Sequence, residues 1–462
     1  MNNTNKVIAA FIAVRNFLAG LPEWASRLPS ILLILTGVTV AATAVVLSVT
    51  VGTSTHLGNC VKVIDVDSAP AVALADHIRI TMFDMDADVC NAFLIGAADP
   101  HAAMINDKAQ LVDYLVSAAQ SITSNDRERA PIASLVSGLS TYEGLVRAAC
   151  ASNQDRQAGI PAILRASDFI QEELAPSAEQ LGDFHVKTLE DNYVAEFQDR
   201  SYFELTTLPR LALLVWLVLV QVFLTLKFRR LVNLPLALAT LILAGITWLN
   251  YERLQDIRED VRIAVREGFD SVHALSRAKT VMNGANTDET LFLLATDKSA
   301  QTTNFVKKIS HVINADLTDP KVFNECQLAL ENHGQVPYIG YLPDELNNIN
   351  FPGEAKMALT LTDWLRQYLV ADAQLRVLEN SGQHAAAVSI GIGEKPGDAN
   401  YLMDQANAAL EEVLQLNQDY YEKYLKDARD ELSTMQSQNV STLVVVLILA
   451  VIGIRLRLGE YN

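Results

Sequence analysis

The sequence predicts an all-α membrane protein with four transmembrane helices and two extracytoplasmic helical-bundle domains. Three observations predict it. The apolar residues gather in four blocks, the basic residues beside those blocks fall on one side, and the long acidic stretches between them carry helical periodicity. The layout is one unit twice: span, long loop, span, then a short turn and the same again.

The apolar blocks are Pro29–Val51, which carries no charge, Leu211–Leu226, Leu231–Leu249 and Val440–Ile454. Crossing a bilayer core takes about 20 apolar residues in a helix. The second block reaches that with Leu208 and Pro209. The fourth needs Leu456 and Leu458, with Arg455 and Arg457 snorkelling to the headgroups. The first block is longer than the roughly 7–15 apolar residues of a signal peptide, and its small-residue run Ala41-Ala-Thr-Ala lies inside the apolar stretch. It reads as an uncleaved anchor.

Orientation follows from the cations. Lys6, Arg15 and Arg27 precede the first span, Lys227, Arg229 and Arg230 fill the turn between the second and third, and Arg455 and Arg457 close the fourth. All three clusters share one side if every block spans, and that side is the cytoplasm. The expectation is a multi-pass protein of a bacterial plasma (inner) membrane with both termini cytoplasmic. The divisions are a cytoplasmic segment 1–28, span 29–51, outer bundle 52–207, span 208–226, turn 227–230, span 231–250, outer bundle 251–439 with an insertion at 314–352, span 440–458 and tail 459–462. Such a layout leaves little in the cytosol to act alone, so a signal would leave through a partner touching Lys227, Arg229 and Arg230 or the N-terminal segment.

The loops are acidic. Residues 52–207 carry net −13 and residues 251–440 net −12, more than the whole charge of −18. Such surfaces repel nucleic acid and anionic lipid, so no nucleic-acid partner is expected; membrane lipid is the expected solvent of the spans. In the first loop, helices are expected over Ala71–Ile95, Ala102–Ile122, Glu128–Ala151 and from about Pro161 toward Glu204, interrupted at Pro176. Four such helices make a four-helix bundle. The second loop reads as Tyr251–Leu294, Lys298–Ile313, an irregular stretch 314–352, Glu354–Ser381 and a last helix from Asp398 into the fourth span.

No Walker loop, GxSxG, HExxH or zinc spacing appears, and Gly391-Ile-Gly-Glu-Lys-Pro-Gly lacks the GK[ST] of a phosphate loop. No catalytic residue, metal or cofactor is expected, and the chain does not read as an enzyme. His77, His185, His273 and His333 are scattered. Asp84, Asp86 and Asp88 read as a solvated acidic face, since only 84 and 88 share a helical side. Cys90 and Cys150 come at similar heights on helices that both run outward, so a disulfide between them is a candidate, against two buried free thiols. An arginine among aromatics can hold a carboxylate; Tyr142 with Arg147, and Trp364, Arg366 and Tyr368, are the candidate ligand contacts on that ground. Bundle core with surface charge is the competing reading. The spans show almost nothing ionisable, Gln221 being the main polar residue, which speaks against conduction.

The stretches Asp88-Val-Cys-Asn-Ala-Phe-Leu-Ile-Gly, Leu139-Ser-Thr-Tyr-Glu-Gly-Leu-Val, Asp288-Glu-Thr-Leu-Phe-Leu-Leu, Asp344-Glu-Leu-Asn-Asn-Ile-Asn-Phe-Pro-Gly-Glu and Pro396-Gly-Asp-Ala-Asn resemble the GlnX-like family of four-span bacterial membrane proteins, common in actinobacteria, with tandem bundle ectodomains. The resemblance implies a relay with a glutamate-binding lipoprotein (GlnH) outside and a serine/threonine kinase (PknG) inside. A homo-oligomer, a dimer, is expected by analogy with bundle sensors. A direct small-molecule chemosensory module and a structural assembly protein are the alternatives.

Overall fold

The computed structural model describes residues 28–97, 99–121, 126–151, 156–198, 201–228 and 232–458. Among them every regular element is a helix and none is a strand, which agrees with the all-α class. Four helices are long and apolar enough to cross a membrane. The helices are α1 Leu28–Lys62, α2 Ala69–Ile95, α3 Ile105–Ser121, α4 Asp126–Ala151, α5 Arg156–Phe169, α6 Ala175–Tyr193, α7 Ser201–Phe228 and α8 Leu234–Arg262. There follow α9 Asp270–Leu294, α10 Ser299–Val312, α11 Pro320–Glu331, α12 Tyr341–Asn347, α13 Glu354–Asn380, α14 His384–Gly391 and α15 Ala399–Leu458. Short π-helical turns lie at Val63–Ser68, Ile170–Leu174, Val194–Gln198 and Ile263–Phe269.

The chain forms two compact units. A span unit takes residues up to Lys62, Asn192–Val261 and Leu425 onward; a larger unit takes Val63–Asp191 and Arg262–Tyr424. In the span unit one apolar core draws on all four apolar segments: Leu32, Leu35 and Val46 of α1, Leu213 and Leu217 of α7, Leu236, Ala239 and Leu243 of α8, and Leu443, Val446 and Ala450 of α15. The opposite faces leave Leu33, Val45, Val215, Leu241, Val445 and Ile452 exposed. Apolar side chains on both faces are what a helix surrounded by lipid requires.

Polar groups join these helices in pairs. Trp216 Nε1 donates to Thr39 Oγ1 at 3.0 Å, and Asn250 Nδ2 to Asn439 Oδ1 at 2.6 Å. Asn233 Nδ2 donates to the Gly453 carbonyl at 2.6 Å. One polar residue was missed in the sequence. Arg210, inside the second apolar helix, is buried and donates to Thr50 Oγ1 at 3.2 Å. The turn cations Arg229 and Arg230, the segment before residue 28 and the tail 459–462 lie outside the described residues; Lys227 ends α7 with its side chain exposed.

The larger unit has two main cores. One, from α2 to α6, is built on Ile78, Met82, Met85, Val89, Leu111, Leu135, Leu139, Ile163 and Leu181. The other, from α9 to α15, is built on Met282, Phe305, Leu317, Leu342, Leu361, Leu365, Leu402 and Leu410. The two loops do not stay apart, because α2 packs directly along α9 and Leu291 of α9 joins the first core. Gly284 permits the approach. A Cβ there would lie 3.1 Å from Phe83 Cε1 and 3.2 Å from Lys308 Cε.

Two expectations are corrected by local chemistry. The 314–352 stretch is not wholly irregular. Asp319 caps α11 by accepting from the Lys321 amide at 2.9 Å, with Pro320 at the first helical position, where a missing N–H costs nothing. Pro176 does not break its helix either; the π turn Ile170–Leu174 comes just before α6, where the proline ring and absent donor disturb the α-ladder.

Candidate functional site: a buried polar seam

Along the α2–α9 seam the apolar pattern is interrupted by acids. Asp86 on α2 is fully buried and accepts from Tyr142 Oη at 3.0 Å and Ser167 Oγ at 2.6 Å. Burying a tyrosine removes roughly 150–250 Å² from water, worth about 4–6 kcal/mol, and leaving its hydroxyl unpaired would cost about 1–3 kcal/mol of that. Asp86 supplies the acceptor. Burial pushes its carboxyl from 3.8 up to about 6, against the pull of Ser167 and Tyr142. The reading of these aspartates as a solvated face holds for Asp88, which is exposed, and is corrected for the other two: Asp86 is core, and Asp84 is half-buried and accepts from Asn283 of α9.

From Asp86 a hydrogen-bonded chain leads across the seam. Gln171 Nε2 donates to Ser167 Oγ at 3.2 Å and its Oε1 accepts from Lys308 Nζ at 2.9 Å. Lys308 Nζ also donates to Asp288 Oδ2 at 2.5 Å and to the Gly284 carbonyl at 3.2 Å. Burial outweighs the ammonium and holds the Asp288 carboxyl above its ordinary range.

Next to Asp288, Glu289 opens a second polar layer with Tyr368, Asp372 and Arg376 of α13. Arg376 Nε donates to Asp372 Oδ2 at 2.8 Å, and its guanidinium lies 4.5 Å from the Phe292 ring centroid and 4.4 Å from that of Phe305. Glu289 and Asp372 face one another with only this arginine to balance two acids. Burial, then Asp372, drives the Glu289 carboxyl well up. Glu289 Oε2, Tyr368 Oη, Asp372 Oδ1 and Arg376 Nη2 are buried without a well-formed protein partner. Two acids, a cation and a phenol are thus turned on one another in the core.

Of the sequence-predicted contacts, the structure brings Tyr142 and Tyr368 into this seam but not their neighbours. Arg147 is exposed and donates to Glu143 Oε1 at 2.7 Å; Glu143 also accepts from Lys108 at 2.5 Å and pairs with His101, which hold its carboxyl at about 2. Arg366 pairs with Asp363 at 2.8 Å, and Trp364 packs at the edge of the second core. Alternate residues on a helix point about 200° apart, so Arg366 turns away from Trp364 and Tyr368, which share a face toward the second core. Cys90 and Cys150 are free thiols. The helices α2 and α4 both pack on α3 and α5 and stand diagonally in their bundle, a poor geometry for the Cα separation below about 7 Å that a disulfide needs. Glu289, Asp372 and Arg376 were not singled out from sequence, although a 372/376 acid–arginine pair at i, i+4 is a visible signal.

The matched segment holds one side of this seam. Residues 61–194 match the actinobacterial sensor domain. That sensor-domain segment covers α2 to α6, with Asp86, Tyr142, Ser167 and Gln171, and gives the chain a sensing role. Among curated proteins and solved structures nothing matches the chain.

Proposed function

We propose that the chain is a membrane signal-relay sensor, not an enzyme, coupling an extracytoplasmic solute or a solute-binding protein to a cytosolic partner kinase. The observation that carries this reading is the sensor-domain segment packed by its first helix, α2, along α9, which follows the apolar helix α8 through a single π turn. A change on either side of that seam moves an element that continues toward an apolar span, and axial or rotational shifts of packed helices are an established switching mode. The basic turn at Lys227–Arg230 is the proposed cytoplasmic contact. The GlnX-like resemblance supports the same assignment of partners. The test is co-isolation of the full chain from crosslinked membranes. A serine/threonine kinase is expected in the complex, and deletion of the chain should change that kinase's substrate phosphorylation between nutrient conditions; unchanged phosphorylation would contradict the reading.

Direct chemosensing is a second reading, favoured by the buried polar cluster of Glu289, Tyr368, Asp372 and Arg376, whose hydrogen-bonding capacity is not filled by well-formed protein contacts. One cation beside two acids suits a zwitterion such as an amino acid. A thermal-shift screen of the full chain in detergent should then find a stabilising amino acid whose effect Arg376→Ala removes; no shift across the panel would dismiss it.

A further inference from the structure

The span unit holds a group of side chains that the sensing role does not use. His56 and Cys60 stand one turn apart on the same face of α1. Glu196 reaches them from the π turn Val194–Gln198. His56 Nε2 lies 3.1 Å from Glu196 Oε2 and 3.8 Å from Cys60 Sγ, and the three ligand atoms all fall within 4.8 Å of one another. With the usual zinc bond lengths, the edges of a tetrahedron holding imidazole, carboxylate and thiolate run roughly 3.3–3.6 Å. The two distances from His56 Nε2 bracket that figure, and the third pair lies within 4.8 Å, close enough for small side-chain rotations to close the set on an ion.

We propose that His56, Cys60 and Glu196 bind a divalent transition metal, Zn2+ by their donor set. A thiolate, an imidazole and a carboxylate together select against Mg2+ and Ca2+, which take oxygen ligands, and suit zinc. Three protein ligands leave a fourth position for water, as in open zinc sites. Access is through the histidine, whose side chain is 46% exposed against 15% for Glu196, while Cys60 forms the buried floor. The π turn supplies the aim. Widening one helical turn redirects the side chains on it, and such turns gather at functional positions. On binding, the Cys60 S–H is replaced by S–Zn and its proton leaves to solvent, so the metal displaces one proton and no electron moves. The bound metal ties the helix leaving the first apolar segment to the helical stretch that leads into the second, through ligands 140 residues apart in sequence.

Histidine pairs and CxxC spacing do not reveal this set. Its sequence trace is a mixed His-x3-Cys on a helix, completed only by the fold.

The experiment uses the full chain in detergent, stripped with a chelator and titrated with Co2+ and then Zn2+. The wild type should bind one equivalent of Co2+ with a thiolate-to-metal charge-transfer band and the visible bands of tetrahedral cobalt, both lost when Zn2+ is added. Cys60→Ser should abolish the charge-transfer band, and Cys150→Ser should leave it unchanged. His56→Ala, at an exposed position, should keep the helical circular dichroism and weaken metal binding on the order of 100-fold, at least the loss typical of disturbed ligand support. Absence of stoichiometric binding by the folded wild type, or an undiminished charge-transfer band in Cys60→Ser, would overturn the assignment.

Discussion

Asp86 and Glu345 are acids kept where charge is costly, and both leave a sign in the pH dependence of stability. Glu345 is buried against Glu354 and Asn417, and burial, followed by Glu354, pushes it from 4.5 to about 8. An acid raised in the folded state binds more protons there than in the unfolded chain. Stability therefore falls as pH rises, from about 4 to about 6 for Asp86 and from about 4.5 to about 8 for Glu345. For Asp86 the loss is on the order of 3 kcal/mol. Asp86→Asn keeps one acceptor oxygen, and its amide can donate to the other hydroxyl, so its melting temperature in detergent should vary less across the lower window than that of the wild type. Glu345→Gln should do the same across the upper one; slopes as steep as the wild type's would refute the burial account. Lys308 makes the complementary case. Lys308→Met leaves Asp288 buried without its hydrogen-bonded cation and should destabilise by about 3–5 kcal/mol, whereas adding Asp288→Leu should recover a large part of that loss. Chemical denaturation of the wild type and these two variants measures it.

At the scale of elements, close approach and polar pinning decide the packing. Gly284→Val places a branched side chain against Phe83 and Lys308 at the α2–α9 crossing and should cost about 1–3 kcal/mol by overpacking. In the span unit, Asn250 and Asn439 join the third and fourth apolar helices. A double-mutant cycle with alanine at both should give a coupling of about 0.6–1.7 kcal/mol, the range for hydrogen bonds between membrane helices; zero coupling would mean the amides do not hold the pair. These elements were legible to different degrees. The α2 stripe, with Gly96 as its left-handed cap, and the Asp319-Pro320 start of α11 are local signals. Of the π turns, Ile170–Leu174 has a local cue in Pro176, whereas Val194–Gln198 and Ile263–Phe269 are followed by no proline and carry no such cue. The burial of Asp86 was not legible either, because an aspartate on a helix looks solvated until Tyr142 and Ser167 arrive from other helices. Tyr142 and Tyr368 were recognisable as aromatic positions near the site, but their acid partners are supplied by α2 and α9. Arg210 lies inside the expected 208–226 span and was not singled out, because Thr50, which accepts from it, comes from another helix.

For the whole molecule, the four apolar segments share one core while both acidic loops contribute to the other compact unit. Within that unit each loop builds a hydrophobic core of its own, and the α2–α9 seam joins the two. A relay needs the loops exposed to the exterior and the basic turn to the cytosol. Single cysteines test this in a Cys150→Ser background, whose remaining thiols are buried. Ile339, 75% exposed in the 314–352 stretch, and Lys227, exposed at the end of α7, are the positions to replace. In intact cells a membrane-impermeant maleimide should label Ile339→Cys at once and Lys227→Cys only after permeabilisation. Labelling in the reverse order, or of both positions in intact cells, would contradict the topology on which the sensor account stands.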